Sequence, residues 1–161
     1  MKHLFFLFFL VTAAAQAEER PRLLILTDIG GDPDDQQSLI RLMVYANEFN
    51  VEGLIASASG TPGELKTAVV RPDLIREIVA AYGEVRNNLA QHKEGWPTLD
   101  DLLSYIKSGN ARRGIAYVGS EHDTEGSRWI IERVNAGTPQ RPLNISIWGG
   151  QTDLAQALWR G

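Results

Sequence analysis

The stretch Leu26–Ser38, LTDIGGDPDDQQS, sets the aspartates Asp28, Asp32, Asp34 and Asp35 close together directly after the apolar run LLIL. Carboxylates only a few ångströms apart raise one another's pKa unless a cation holds them. Acids in the first turn of a helix interact favourably with its dipole, each by roughly 0.3 to 1 kcal/mol. Asp32 as N-cap and Asp34 or Asp35 in a first turn therefore have a structural explanation. That explanation leaves out Asp28 and the closeness of the group. An oxygen-ligated divalent cation accounts for both. The spacing is not that of a helix–loop–helix calcium loop. Counted from Asp28, Pro33 stands at the position that needs glycine and Leu39 at the one that needs glutamate. A phosphatase-type pair of aspartates two apart also fails, because Gly30 occupies the second place.

The elements around the cluster say how it is held. RLLILT (Arg22 to Thr27) is a continuous apolar run of strand length, as expected for a central strand covered on both faces. From Asp34 to Phe49 the apolar residues Leu39, Leu42, Met43, Ala46 and Phe49 recur at helical spacing, so a helix begins at the acidic cluster. VEGLIASA (Val51 to Ala58) reads as a second strand and SGTPGE as the loop after it. Helices are expected over Pro72 to about Leu89, over Thr98 to Lys107 and over Thr124 to Asn135. Ile115 to Val118 reads as a short strand, Leu143 to Trp148 as a longer one, and Thr152 to Trp159 as a closing helix. Strands alternate with helices throughout, which predicts an α/β fold: an open, mostly parallel, Rossmann-like sheet with helices on both faces. Ligands then bind where strand carboxyl ends meet helix amino ends. The chain stops just after a strand and helix have been laid down, and the expectation is the N-terminal part of a longer domain.

MKHLFFLFFLVTAAAQA has a short basic start, an apolar run and a small-residue end, the layout of a cleavable secretory signal over residues 1–17. The apolar run is shorter than the roughly 20 residues a membrane span needs. About 144 residues remain (18–161), enough for one domain with a real core. The formal charge of −4 becomes one unit more negative when Lys2 leaves with the signal. A mildly acidic chain without a basic stripe argues against nucleic acid or anionic membrane as partner. With no cysteine, the exported fold stands without disulfides, and any metal is held by oxygen or histidine. Outside the cytoplasm, in the periplasm or secreted, calcium with its roughly six to eight flexible oxygen ligands is a better match than magnesium.

LLILTDIGGDPDDQQSL resembles the signature of the nucleoside hydrolase superfamily: an apolar strand running into an aspartate, a glycine-containing turn, and an Asp-Asp pair opening a helix. The form TDIGGDPDDQQSLIRLMVYANEF is most similar to an exported bacterial branch, often labelled cellulose-binding. IWGGQTDLAQAL resembles a second element, a glycine-rich turn followed by Thr-Asn-Leu-Ala, with Asp153 in place of the asparagine. The resemblance covers Arg22 to Gly161. It implies hydrolysis of an N-glycosidic bond, with Asp28 binding calcium and taking a proton from the attacking water. Asp35 and the backbone carbonyl of Thr152 are then further calcium ligands, and Asp34 bonds the ribose hydroxyls. The alternative is a carbohydrate-binding protein on the same scaffold. The family's asparagine for the sugar is missing after the second strand, which leaves Ser57 or Ser59 as substitutes. Its leaving-group acid and a further calcium aspartate belong to a portion beyond Gly161.

In GSEHDTEGS, Glu125 and His122 follow a strand edge and are candidates for a substrate contact, against the plainer reading of another helix start capped by Thr124 or Asp123. His92 reads as a solvated surface residue. Trp129 and Trp148 read as core, and Trp96 in EGWP as the one candidate for sugar stacking. No Gly-x-Ser-x-Gly turn supports serine hydrolysis.

Overall fold

The computed structural model describes residues 19–59 and 69–161. The expected signal segment and most of the loop after Ser59 lie outside these residues. Four strands, β1 (Arg22–Thr27), β2 (Asn50–Ala56), β3 (Ile106–Ser108) and β4 (Leu143–Ile147), form one sheet in the order β3-β2-β1-β4, and every pairing is parallel. The helices are α1 (Asp34–Met43), α2 (Pro72–Leu89), α3 (Leu99–Ser104), α4 (Glu125–Asn135) and α5 (Thr152–Arg160). This is the open, parallel α/β sheet expected from the alternating pattern.

The pleat of β1 explains the two-sided core. Alternate side chains face opposite ways, so Leu24 and Leu26 join Ile55, Ile130 and Ala157 on the face covered by α4 and α5. Ile25 joins Leu39, Leu54, Ile75, Val79 and Leu102 on the face covered by α1, α2 and α3. The register slips between Leu23 and Leu24, opposite Gly53. A Cβ at Gly53 would stand 2.7 Å from the Leu24 side chain, so glycine lets the strands keep their approach. At the amino end of the sheet, Arg22 is 3% exposed and donates through Nε and Nη2 to Glu52 at 2.7 and 2.6 Å. Its Nη2 also donates to the carbonyl of Arg133, tying α4 to the sheet.

Three elements differ from the sequence expectations. The first helix ends at Met43, and Ala46–Glu48 forms a separate 3-10 turn. The helix expected to run to Lys107 stops at Ser104, and Ile106–Ser108 is the edge strand β3, because Ile106 is buried against β2 in register with Leu54. Ile115–Tyr117 is a 3-10 turn rather than a strand, and Ile115 is exposed. The caps follow the chemistry expected of them more closely. Thr98 caps α3 by accepting from the Asp101 amide, and Thr124 forms a reciprocal capping box with Ser127 on α4. Asp32 does not cap α1, whose N-cap is Pro33 without a side-chain bond.

Candidate functional site

Chain order runs outward from β1 to β2 and β3, then returns to the other side of β1 with β4. The crevice between the carboxyl ends of β1 and β4 is therefore the switch point at which open α/β sheets bind ligands. Asp28 follows β1 there, and Gly149 follows β4. A Cβ on Gly149 would stand 2.2 Å from the Asp28 carboxylate, so the backbone of the second glycine-rich turn lies directly against it.

Asp28 and Asp35 are brought together. Asp35, on the first turn of α1, is 5% exposed, and its Oδ2 accepts from the Thr27 hydroxyl at 2.5 Å. Burial, and after it the hydrogen bond and charge of Asp28 and the charge of Asp34, push the Asp35 carboxyl up to about 6 against the pull of Thr27. Asp34 is exposed and is held below the usual carboxylate range, first by its interaction with Asp32 and then by backbone amides. Its Oδ1 accepts from the Asp35 amide at 2.8 Å. The acidic turn is thus two layers, an inner pair of half-buried Asp28 and buried Asp35 and an exposed Asp32–Asp34 pair.

The residue opposite Asp28 was not visible in the sequence. Arg113 Nη2 donates to Asp28 Oδ2 at 2.5 Å and to the carbonyl of Ala58 at 2.9 Å, with Nε also directed at that carbonyl at 3.3 Å. The segment carrying Arg113 is fixed at both ends by the start of α5. The amide of Asn110 donates to both carboxylate oxygens of Asp153 at 3.0 Å, and the amide of Gly114 to Thr152 Oγ1 at 3.1 Å.

Asp153 is 0% exposed and collects two further donors, Ser57 Oγ onto Oδ2 and Thr124 Oγ1 onto Oδ1, each at 2.6 Å. These bonds satisfy a buried carboxylate that would otherwise be costly. They also assign Ser57. It is fully buried beneath Gly150, whose Cβ would stand 2.0 Å from that of Ser57, and its hydroxyl is committed to Asp153. Ser59 is committed as well, donating to the carbonyl of Ile29 at 2.6 Å. Glu125 sits beside β3, where Oε2 accepts from the Ser108 amide at 3.1 Å and Oε1 lies 3.6 Å from Lys107. The structure therefore brings Asp28, Asp34, Asp35 and, through the Arg113–Gly114 segment, Thr152 to one crevice. It places Ser57 and Ser59 beneath it as braces and Glu125 at the β3 edge.

Among the aromatic and histidine candidates, Trp96 is half-buried and packs against the α1–α3 face of the core and against Tyr82, with ring centroids 6.4 Å apart and its indole nitrogen buried. His122 lies edge-on to Tyr117 and His92 is exposed. Asp123 is bonded to Gln156 and Arg160 and fastens α5.

The model of the nucleoside hydrolase-like domain of cellulose-binding Sde182 matches residues 22–161. This chain belongs to that nucleoside hydrolase-like family. A solved structure of a nucleoside hydrolase-related hypothetical protein from Saccharophagus degradans, described as associated with carbohydrate metabolism, has a TM-score of 0.75 and 38% sequence identity. The likeness covers 88% of this chain and 33% of that one, so the family member described here spans a third of its solved relative's length. No curated protein matches the chain.

The calcium expected from the sequence would need hard oxygen donors in the crevice. The carboxylates of Asp28 and Asp35 are hard oxygen donors by type, and their mutual repulsion is of the kind a divalent ion relieves. Among the described residues, no three acidic or histidine side chains group so as to hold a metal ion. The pair fits calcium in chemical kind, as one side of a coordination sphere that takes roughly six to eight oxygens.

Proposed function

We propose that this domain contributes the water-activating half of an exported, calcium-dependent hydrolase of N-glycosidic or related glycosidic bonds. The supporting observation is the juxtaposition of Asp28 and Asp35 at the switch point of the sheet, with the backbone of Gly149 against Asp28. Asp28, Asp35 and the carbonyl of Thr152 are the groups that would hold calcium. When bound, the ion makes a nearby water more acidic.

The chain's own residues then have distinct parts. Asp28 accepts the proton of the attacking water at its carboxylate. Asp35, held by Thr27, fixes the distance between α1 and Asp28. Asp34, exposed at the mouth and ionised, accepts bonds from sugar hydroxyls. Positioning and charge stabilisation around an oxocarbenium-like state would carry most of the rate. The substrate class is a small glycoside or carbohydrate.

A second reading, carbohydrate binding without cleavage, is favoured by one observation: Arg113 already stands on the carboxylate that must act as base. The two readings separate on Asp28→Asn, assayed in the full-length protein with nucleosides and with cello-oligosaccharides. Turnover abolished while sugar affinity survives supports hydrolysis. Glycosides that are never cleaved, with oligosaccharide affinity retained by the wild type, refute hydrolysis and support binding. Calcium is tested separately. Millimolar Ca²⁺ should raise the melting temperature relative to chelator, by mass action on the folded state. An unchanged value refutes the metal.

A further inference from the structure

We propose that Arg113 is a tethered cation that competes with a divalent ion for Asp28. The Arg113 side chain then has two positions, one with the guanidinium seated in the crevice and one withdrawn from it. The proposal rests on reading the acidic pair as a cation site.

Several observations carry it. The guanidinium lies between a carboxylate oxygen of Asp28 and the backbone carbonyl of Ala58. A carboxylate and a carbonyl are also the ligand types that oxygen-seeking divalent ions take. Arg113 is not a stray surface arginine, since its side chain is 29% exposed and that of Asp28 21%. Its segment is clamped by Asp153 onto Asn110 and by Thr152 onto Gly114. Both clamps belong to the TDLAQAL element, so one helix start places the guanidinium.

Charge balance makes the arrangement exchangeable. One guanidinium offsets a single negative charge, and Asp28 stands beside a second carboxylate, that of Asp35. A divalent ion offsets both. Beside the arginine, Gly114 has φ +103°, a conformation open to glycine, and apart from its own chain neighbours nothing lies within 4 Å of where its Cβ would be.

The experiment is calcium titration by calorimetry in chelator-cleared buffer, using the full chain as wild type, Arg113→Gln and Arg113→Lys. Removing the competing charge-assisted bond should tighten calcium binding about ten-fold in Arg113→Gln. Arg113→Lys, which keeps the charge and loses the fork, should fall between the two. Equal or weaker binding by Arg113→Gln overturns the competition and leaves the metal reading standing. No binding by any of the three proteins at millimolar calcium overturns the metal reading and the competition with it. A measurement on the wild type does not depend on the variants folding. The Arg113 Nε–H resonance should shift on adding saturating calcium, and a resonance that stays in place while calcium binds also overturns the proposal.

Discussion

Replacing Asp35 by asparagine should stabilise the metal-free protein at neutral pH and remove a pH dependence between about 4 and 6. The carboxyl is buried and is pushed up to about 6, by burial first and by Asp28 and Asp34 after it. In the unfolded chain it titrates at an ordinary aspartate value near 3.9. Between those two values the native state binds more protons than the unfolded state. The carboxyl's contribution is therefore complete below the unfolded value and is lost as pH rises through the folded one. The gap corresponds to ~3 kcal/mol as a ceiling, and Arg113 beside Asp28 offsets part of the repulsion.

Asparagine cannot ionise and retains an oxygen for the Thr27 hydroxyl. Asp35→Asn should therefore exceed the wild type by about 1 to 3 kcal/mol at pH 7.5 in chelator and differ little near pH 4. Urea unfolding of both proteins at the two pH values measures this difference. Saturating calcium should reverse the order at pH 7.5, because the wild type then gains a ligand that the variant lacks. The reasoning fails if Asp35→Asn is no more stable than the wild type at pH 7.5 in chelator, or if its advantage is the same at both pH values.

Glu52→Gln strips the carboxylate from a buried guanidinium and should cost about 3 to 5 kcal/mol, read from the urea midpoint. Calcium binding should be unaffected, because Arg22 opens β1 and Glu52 lies near the start of β2, at the end of the sheet away from Asp28. Asp153→Asn restores the residue type of the superfamily's second element. It should nevertheless destabilise this chain by about 1.5 to 3 kcal/mol, since Ser57, Thr124 and the Asn110 amide all donate to the carboxylate. Faster hydrogen exchange at Asn110 would locate the loss. Gly150→Ala should destabilise by at least about 1 kcal/mol, because φ is +74° and the new methyl would overlap Ser57. A neutral thermal shift would contradict that geometry.

What was legible in the sequence was whatever depends on neighbours in the chain. The apolar run before Asp28, the periodic faces of α2, α4 and α5 and the Thr124 cap are local patterns, and the structure has them. β3 was missed because LLSYIKS continues a helical spacing. Only pairing with Leu54, far away in the chain, turns Ile106–Ser108 into a strand. The same division runs through the crevice. The acidic turn announces itself, since its carboxylates lie within one turn of chain. The groups that determine their state come from elsewhere: Arg113 is 85 residues from Asp28, and Ser57 is 96 from Asp153. Nothing in the local pattern NARRG distinguishes Arg113 from Arg112, whose guanidinium lies over Tyr117 instead. The choice between them is made by where α5 clamps Asn110 and Gly114. A motif such as TDLAQAL therefore specifies more than the ligands it carries, because its first two side chains also decide which arginine reaches the acidic turn.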